Sequence, residues 1–526
     1  MNLLSRSRLV PAVFLLAAAN VWGAGPWFNI LDYGARNDGS ASATAAIRAA
    51  IQAAKAAGGG TVYVPAGQYV TGPIELVSNL VLEIDAGAVL RFAASRDGLT
   101  YTKGRLEGTE CLTPVPLIGG HDLENVTIRG RGTITTDNAQ WMNLVRQPDT
   151  AAARTVWTGI LKALDLKQPV PPEDFQKAAP SLRPSFIRTM ESKNILIEGI
   201  HIIGSSMWVI HILYSQNVVI RDVTIETYPG TNTDGIDIDS SQDVLISNCY
   251  LDTGDDAICL KSGKDADGLR VNRTTANVAI TNCTVHHGHG AVVLGSETSG
   301  GFHNIVASNI VCQGTEKGVR IKSTRGRGGV IENVRFDHWT MDSVNEAINV
   351  TNYYTRGPEE PVSQRTPVFR NIAISNMTIN RSPLMINIEG LAEMPVTGLQ
   401  ISNVIASGKA GMRAYNTLAM ELHNVQVNPE TGTAFLIRDS KELELDQVST
   451  RTPVAGSPVI RLDRCPGATV RASRAFAGTG TFLAAAPGEL KSIVLEGNTL
   501  GNARKASEET ADDIWKLPLP VPTIRE

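Results

Sequence analysis

The chain runs to 526 residues, with 48 Lys and Arg against 52 Asp and Glu for a formal net charge of −4, 48 glycines and 5% aromatic residues. That length allows several ordinary domains or one elongated repeat fold, and the composition is that of a soluble globular protein. The near balance of charge excludes a chain-wide basic surface for nucleic acid, but it is blind to a local cluster of cations.

The first 24 residues break from the rest. Arg6 and Arg8 precede an apolar stretch from Leu9 to Val21, and the small residues Gly23 and Ala24 come next. This is the layout of a secretory signal peptide cut near Gly23 or Ala24. The run falls short of the ~20 apolar residues that span a bilayer, and no other segment reaches that length. The mature chain, 25–526, is expected to be a single soluble catalytic domain, secreted or periplasmic, monomeric and without membrane contact.

Next comes an Ala-rich segment, Thr44 to Ala57, with Ile47 and Ile51 at helical spacing and Gly58, Gly59 and Gly60 as its stop. It is predicted to be a helix capping the open end of a repeat structure. C-terminal to it a phrase recurs in which Asn or Asp precedes alternating apolar residues. It begins at Asn125, Asn194, Asn217, Asp243, Asn277, Asn304, Asn333 and Asn371. From Asn194 to Asn217 is 23 residues and from Asn217 to Asp243 is 26. Such repeats are too short for a strand-helix-strand unit but hold two or three short strands with their turns. The predicted fold is all-β, a right-handed parallel β-helix whose coils stack about 4.8 Å apart. A β-propeller would need repeats of roughly 40 residues.

The repeat is interrupted over 149–177, where Trp157, Ile160, Leu161 and Leu164 have helical spacing and Pro169, Pro171 and Pro172 end the stretch. Beyond about Val396 the coils read as irregular, and 517–522 is a Pro-rich, extended tail. Six cysteines in an exported chain permit disulfides. Cys249 and Cys283 occupy the same place in successive repeats, as a bridge or as stacked thiols.

On a β-helix, repeat length turns sequence distance into proximity. Asp234 and the pair Asp255 and Asp256 lie about one coil apart, His289 one coil further, and Arg320 with Lys322 one further again. Arg320 and Lys322 are two apart on a predicted strand, so their side chains share a face. Three carboxylates allow one group to stay protonated while another stays ionised, as glycosidic hydrolysis requires, and the adjoining cations suit an acidic sugar. Three carboxylates exposed in one groove would repel one another, so removing one is expected to leave the fold intact or even more stable.

With these motifs the chain resembles the polygalacturonases of glycoside hydrolase family 28. The match includes NTDGIDID (232–239), GDDAICLKSG (254–263), GHGAVVLGSE (288–297) and VRIKS (319–323), in the family's order. DYGARNDG (32–39) and GGGTVYVPAGQY (58–69) look like the start of many pectin-active, pectin-lyase-like solenoids, and the resemblance covers about 28–400. It implies that Asp255 is the general acid and that Asp234 and Asp256 activate water, giving inversion. That arrangement calls for carboxyl groups ~6.5 to 9.5 Å apart. By the same resemblance His289 tunes the acid, while Asn232, Arg320, Lys322 and a tyrosine bind the substrate; Tyr353 and Tyr354 both fit the last role, and Tyr354 is preferred. No cofactor or metal is implied, the partner is polygalacturonate, and exo attack is favoured, with 149–177 and the connection from Tyr354 to Thr366 walling one end of the groove.

Other readings compete with these. Taken singly, the Asn-Thr-Asp and Gly-Asp-Asp strings are turn formers. His286, His287, His289 and His303 lack the spacing of a metal site. Arg325 and Arg327 read as a solvated turn, and Asp237 and Asp239 divide evenly between structural and functional roles. A lyase or epimerase on the same fold, or a noncatalytic polysaccharide-binding β-helix, are the alternatives to a hydrolase.

Overall fold

The computed structural model describes residues 25–96, 99–165, 168, 170–355 and 359–511. The segment read as a signal peptide and the Pro-rich tail lie outside the described residues. The recurring phrase forms strands Glu124–Gly130, Lys193–Glu198, Gln216–Arg221, Gln242–Ser247 and Thr275–Thr281, each pairing in parallel with the next. Successive partners stand three strands apart in the chain, so each coil contributes one strand to each of three faces. The right-handed parallel β-helix expected from the repeat is the architecture observed.

Side-chain alternation builds the interior. Val126, Ile195, Val218, Val244, Val278, Ile305, Val334, Ile372 and Leu399 occupy equivalent positions on consecutive coils and form one buried stack. Removing each from water stabilises the coil by about 1.5–3 kcal/mol.

The polar residue that opens each phrase has its own physical reason. Asn125, Asn194, Asn217, Asp243, Asn277, Asn304, Asn333 and Asn371 all have φ between 50° and 59°. This is the left-handed region that Asn and Asp tolerate because their short side chains bond locally. Their side chains also join one coil to the next: Asn194 Nδ2 donates to Asn125 Oδ1 at 2.8 Å, and Asn217 Nδ2 to Asn194 Oδ1 at 2.6 Å. The same ladder continues from Asn277 to Asp243 and from Asn304 to Asn277.

The Thr44–Ala56 helix buries Ala46, Ile47, Ala50, Ile51 and Ala54 against the first coils, as its apolar stripe predicts. Past Val396 the parallel ladder runs on to Lys505–Glu509, with a register shift between Ala410 and Met412; another lies just before it, between Ile379 and Ser382. All six cysteines are buried free thiols.

Two additions position the groove. The strands Tyr101–Leu106 and Thr109–Pro114 form an antiparallel hairpin that lies on the outer face of the coils. Arg105, 1% exposed, donates from Nη1 to Asp239 Oδ1 at 2.6 Å and to Ser240 Oγ at 2.7 Å. The interrupted region folds as helices Ala151–Asp165 and Pro172–Ala178, and a further helix, Asn138–Arg146, precedes it. Trp157 and Phe175 from these helices pack on Leu106, Cys111, Leu182, Met207 and Trp208. Helices and hairpin thus share one small apolar core outside the solenoid.

Candidate active site

Strands Ile236–Asp239, Ile258–Lys261, Val292–Leu294, Lys317–Lys322 and Glu346–Thr351 stack in parallel on one face. Ile236, Ile258, Val292, Val319 and Ile348 point into the core, so the alternate positions Asp237, Cys259, Val293, Arg320 and Asn349 form an outward row. Asp234, Asp255, Asp256 and His289 sit in the turns that enter these strands. The turns close tightly: a Cβ on Gly254 would lie 1.8 Å from the Gly230 carbonyl oxygen, so only glycine brings the Asp255–Asp256 turn onto the one before it.

The expected residues converge. One oxygen from each of Asp234, Asp255 and Asp256 lies within 4.8 Å of the other two. His289 Nδ1 is 3.0 Å from Asp255 Oδ1, which also accepts from the Asp256 amide at 2.8 Å. Lys322 Nζ donates to Asp256 Oδ2 at 2.7 Å, and Arg320 Nη1 lies 3.4 Å from Asp256 Oδ1 while donating to the His289 carbonyl at 3.2 Å. The two cations face the ring of Tyr354, at 5.2 Å from Lys322 and 5.8 Å from Arg320. Tyr353 turns instead toward Arg325 and Tyr415, so of the two tyrosines only Tyr354 joins the cluster. Asn232 lies at the rim in the left-handed region, its Oδ1 accepting from Arg183 Nη2 at 2.8 Å.

Two expectations need correcting. The carboxylates are not all exposed: Asp234 and Asp256 are buried at 3% and 1%, and only Asp255 keeps a partly open face. Nor is the wide spacing met, since the nearest oxygens fall inside 4.8 Å. Both departures have one cause, a set of buried cations that draws the carboxylates together. Lys261 Nζ sits 3.2 Å from Asp234 Oδ2, 3.4 Å from Asp237 Oδ1 and 3.7 Å from Glu297 Oε2, over the Trp208 ring at 4.4 Å. Lys261, Glu297 and Trp208 were not singled out from sequence, although Lys261 and Glu297 stand inside the quoted motifs. Strand alternation from Cys259 would have placed Lys261 outward and above Asp239. Arg183 was also missed; it donates to the Ser206 and Thr231 carbonyls as well as to Asn232 and so ties down the turn before Asp234.

Arg325 and Arg327 form no solvated turn. Arg325 makes a bidentate pair with Glu393, and Arg327, 8% exposed, pairs with Asp265 at 2.6 Å. Asp237 and Asp239 are both fully buried; Asp239 is held by Arg105 and His211, Asp237 by Lys261.

The cluster separates its protons. Burial, reinforced by the charge of Asp255, raises the Asp234 carboxyl to about 8, with Lys261 opposing. Asp256 is held far below the ordinary carboxylate range: Lys322, Arg320 and Lys261 overcome its burial. The hydrogen bond to Asp255 raises His289 to about 9, so its imidazole is a cation at neutral pH. Adjacent acids pushed apart in this way are the arrangement that acid–base chemistry requires. The oxygens of Asp234, Asp255 and Asp256 are also close enough for a cation, as are ligand atoms of Asp234, Asp237 and Cys259. The Lys261 and Lys322 ammonium groups already bond to those oxygens, so a divalent ion would have to displace them.

Residues 175–446 match the family described as Glycosyl hydrolases family 28, and 27–144 match one described as Rhamnogalacturonase A/epimerase, pectate lyase-like. The chain is 31% identical to a probable polygalacturonase of Vitis vinifera over 72% of this chain and 73% of that protein. It is 28% identical to an exo-poly-alpha-D-galacturonosidase of Dickeya chrysanthemi over 67% of this chain and 62% of that protein. Proteins named endo-polygalacturonase also match. The crystal structure of a hyperthermoactive exopolygalacturonase from Thermotoga maritima superposes with a TM-score of 0.71 at 33% identity, covering 76% of this chain and 91% of that one. With the fold, the ordered motifs and these matches in agreement, the chain belongs to glycoside hydrolase family 28.

Proposed function

We propose that the protein is a secreted polygalacturonase that hydrolyses α-1,4-galacturonosyl linkages with inversion at the anomeric carbon, acting from a chain end. The observation that carries the reading is the carboxylate trio within 4.8 Å, flanked by His289, Arg320 and Lys322. Acid chemistry and recognition of an anionic sugar are thereby built into one surface.

In this mechanism the proton that burial holds on Asp234 is handed to Asp255, whose nearest oxygen lies within 4.8 Å. With the proton on Asp255, the most open of the three, that carboxyl donates to the glycosidic oxygen as the C1–O bond breaks. Asp234 is then the ionised base. Asp256, fixed as a carboxylate by Lys322 and Arg320, orients the attacking water. Water adds to C1 from the opposite face, and its proton passes to Asp234. His289, a cation hydrogen-bonded to Asp255, orients the acid. Arg320, Lys322, Tyr354 and Asn232 hold the sugar and its carboxylate.

Close carboxylates by themselves fit retention, where separations are ~5–5.5 Å. Inversion is favoured here because a nucleophile must be free to reach C1. Both oxygens of Asp256 and one oxygen of Asp234 are engaged by buried cations instead. Release of reducing ends from polygalacturonate, with the new anomer read by NMR, tests the assignment.

Chain-end attack is supported by the hairpin and the inserted helices. On the two coils before the site and its first strand, the outward residues Arg188, His211 and Asp239 are buried at 2%, 0% and 0%. Arg188 and Asp239 bond to the hairpin, through Thr113 and Arg105, and His211 lies beneath Trp208. A polymer threading that way meets a wall. Leu164 of the insertion and Gln364 of the following connection line one cavity of about 510 Å³ beside helix Asp265–Val271. The lyase or epimerase alternative gains nothing from the match over 27–144, because every residue of the carboxylate cluster lies beyond it.

A further inference from the structure

The outward row that includes Arg320 does not stop at the carboxylate cluster. Arg320 pairs in register with Asn349, Asn349 with Asn387, and Asn387 with Arg413. The flanking residues Ile348, Val350, Ile386, Ile388, Met412 and Ala414 all belong to the core, so the row faces outward throughout. At about 4.8 Å per coil, Arg413 stands roughly 14 Å along the groove from Arg320.

Arg413 differs from the buried arginines of this protein in making neither a hydrogen bond nor an ion pair among the described residues, whereas Arg183 and Arg188 donate to carbonyl and hydroxyl oxygens. Arg105 and Arg461, which are buried, are paired with Asp239 and Asp463 at 2.6 and 2.7 Å. Arg413 is half-buried, its Nε is enclosed without a partner, and no carboxylate of the described residues forms an ion pair with it. Burial lowers its proton affinity, while Glu389 and Glu346 favour the charge without pairing. Asn387, 5% exposed, donates from Nδ2 toward Glu346 Oε2 at 3.4 Å and leaves Oδ1 without a partner; Asn349 Nδ2 donates to the same oxygen at 2.6 Å. Arg320, whose Nε is also enclosed and unpartnered, is the other cation of the row. An enclosed Nε–H without an acceptor is costly unless something supplies one.

We propose that Arg413 is a second sugar-acid subsite on the groove floor, its guanidinium binding the carboxylate of a galacturonate unit remote from the bond that is cleaved and the free Asn387 Oδ1 accepting from a hydroxyl of that sugar. This rests on the galacturonan reading given above. It adds a dependence on chain length: a short oligomer spanning the cleavage point does not reach Arg413, whereas a long one does.

The test is the ratio of kcat/KM on hexagalacturonate to that on the dimer, for the intact chain, Arg413→Gln and Arg413→Lys. Arg413→Gln is expected to lower this ratio about tenfold, through KM, a change equal to ~1.4 kcal/mol, with Arg413→Lys in between. Equal loss on both substrates, or no loss on either, overturns the subsite. Calorimetry of hexagalacturonate binding to Asp255→Asn, with and without Arg413→Gln, reads the subsite apart from hydrolysis. About tenfold weaker binding in the double variant supports it, and equal affinity overturns it. If the intact chain cleaves no galacturonan while the binding difference persists, the catalytic reading fails and the anion subsite stands.

Discussion

Lys322 Nζ lies 2.7 Å from Asp256 Oδ2, and both side chains are almost fully buried. This pair sets the character of the site, because it holds Asp256 ionised while burial leaves the proton on Asp234. It also means that the three aspartates are not equivalent to the fold.

Asp256→Asn is therefore expected to destabilise the protein by about 3–5 kcal/mol, the usual cost of leaving a buried charge without its partner. Asp255→Asn removes a partly open group and should change the unfolding midpoint little, while lowering turnover a hundredfold or more. Thermal unfolding and initial rates on polygalacturonate, measured on both variants, distinguish the two effects. Equal midpoints would show that the Lys322 pair carries no stability.

Lys261→Met tests the other buried cation. Asp234, Asp237 and Glu297 would then face one another uncompensated, and the proton on Asp234 would be held still more tightly. The variant should be less stable, lose turnover, and shift the alkaline limb of its pH profile upward. A limb that stays put while turnover falls would remove Lys261 from control of Asp234.

Asp234, raised by burial, loses its proton as pH rises toward 8, so kcat/KM should fall there rather than at the ordinary aspartate value near 4. His289 is raised by its bond to Asp255, so its contribution to stability is complete below the unfolded value near 6.5 and disappears as pH climbs through about 9. Its side chain is 42% exposed, which keeps that contribution small. His289→Gln should flatten the alkaline end of the stability profile, as followed by thermal unfolding against pH.

Opening the wall should change the products. Arg105→Met breaks the bond between the hairpin and Asp239, and longer oligomers should then appear beside the monomer or dimer expected from the intact enzyme. Chromatography of early products, with solution viscosity, reads this out. Rapid viscosity loss by the unaltered protein would contradict chain-end attack.

The sequence carries the fold because each coil repeats a local rule: an Asn such as Asn217 that accepts the left-handed bend, followed by alternating residues such as Val218 and Ile220 that must face inward. The site was legible for the same reason, since turn residues at coil spacing, Asp234, Asp255 and His289, have no choice but to stack. What stayed hidden depends on contacts between distant segments. Arg105 reaches Asp239 across 134 residues, and Arg325 reaches Glu393 across 68. No repeat length encodes either pairing. The burial of Asp234 and Asp256 was missed because it comes with Lys261 packed on the first and Lys322 and Arg320 on the second, and the importance of Lys261 emerges only once Asp234, Asp237 and Glu297 are seen around it.

The central claim, hydrolysis of galacturonan by the Asp234, Asp255 and Asp256 cluster, is tested most directly by real-time proton NMR of the protein acting on polygalacturonate with chelator present. The account predicts that β-galacturonate is the first new reducing end, that it then mutarotates, and that Asp255→Asn abolishes its formation. An initial α anomer, an unsaturated product in place of a reducing sugar, or unchanged activity in Asp255→Asn would contradict it.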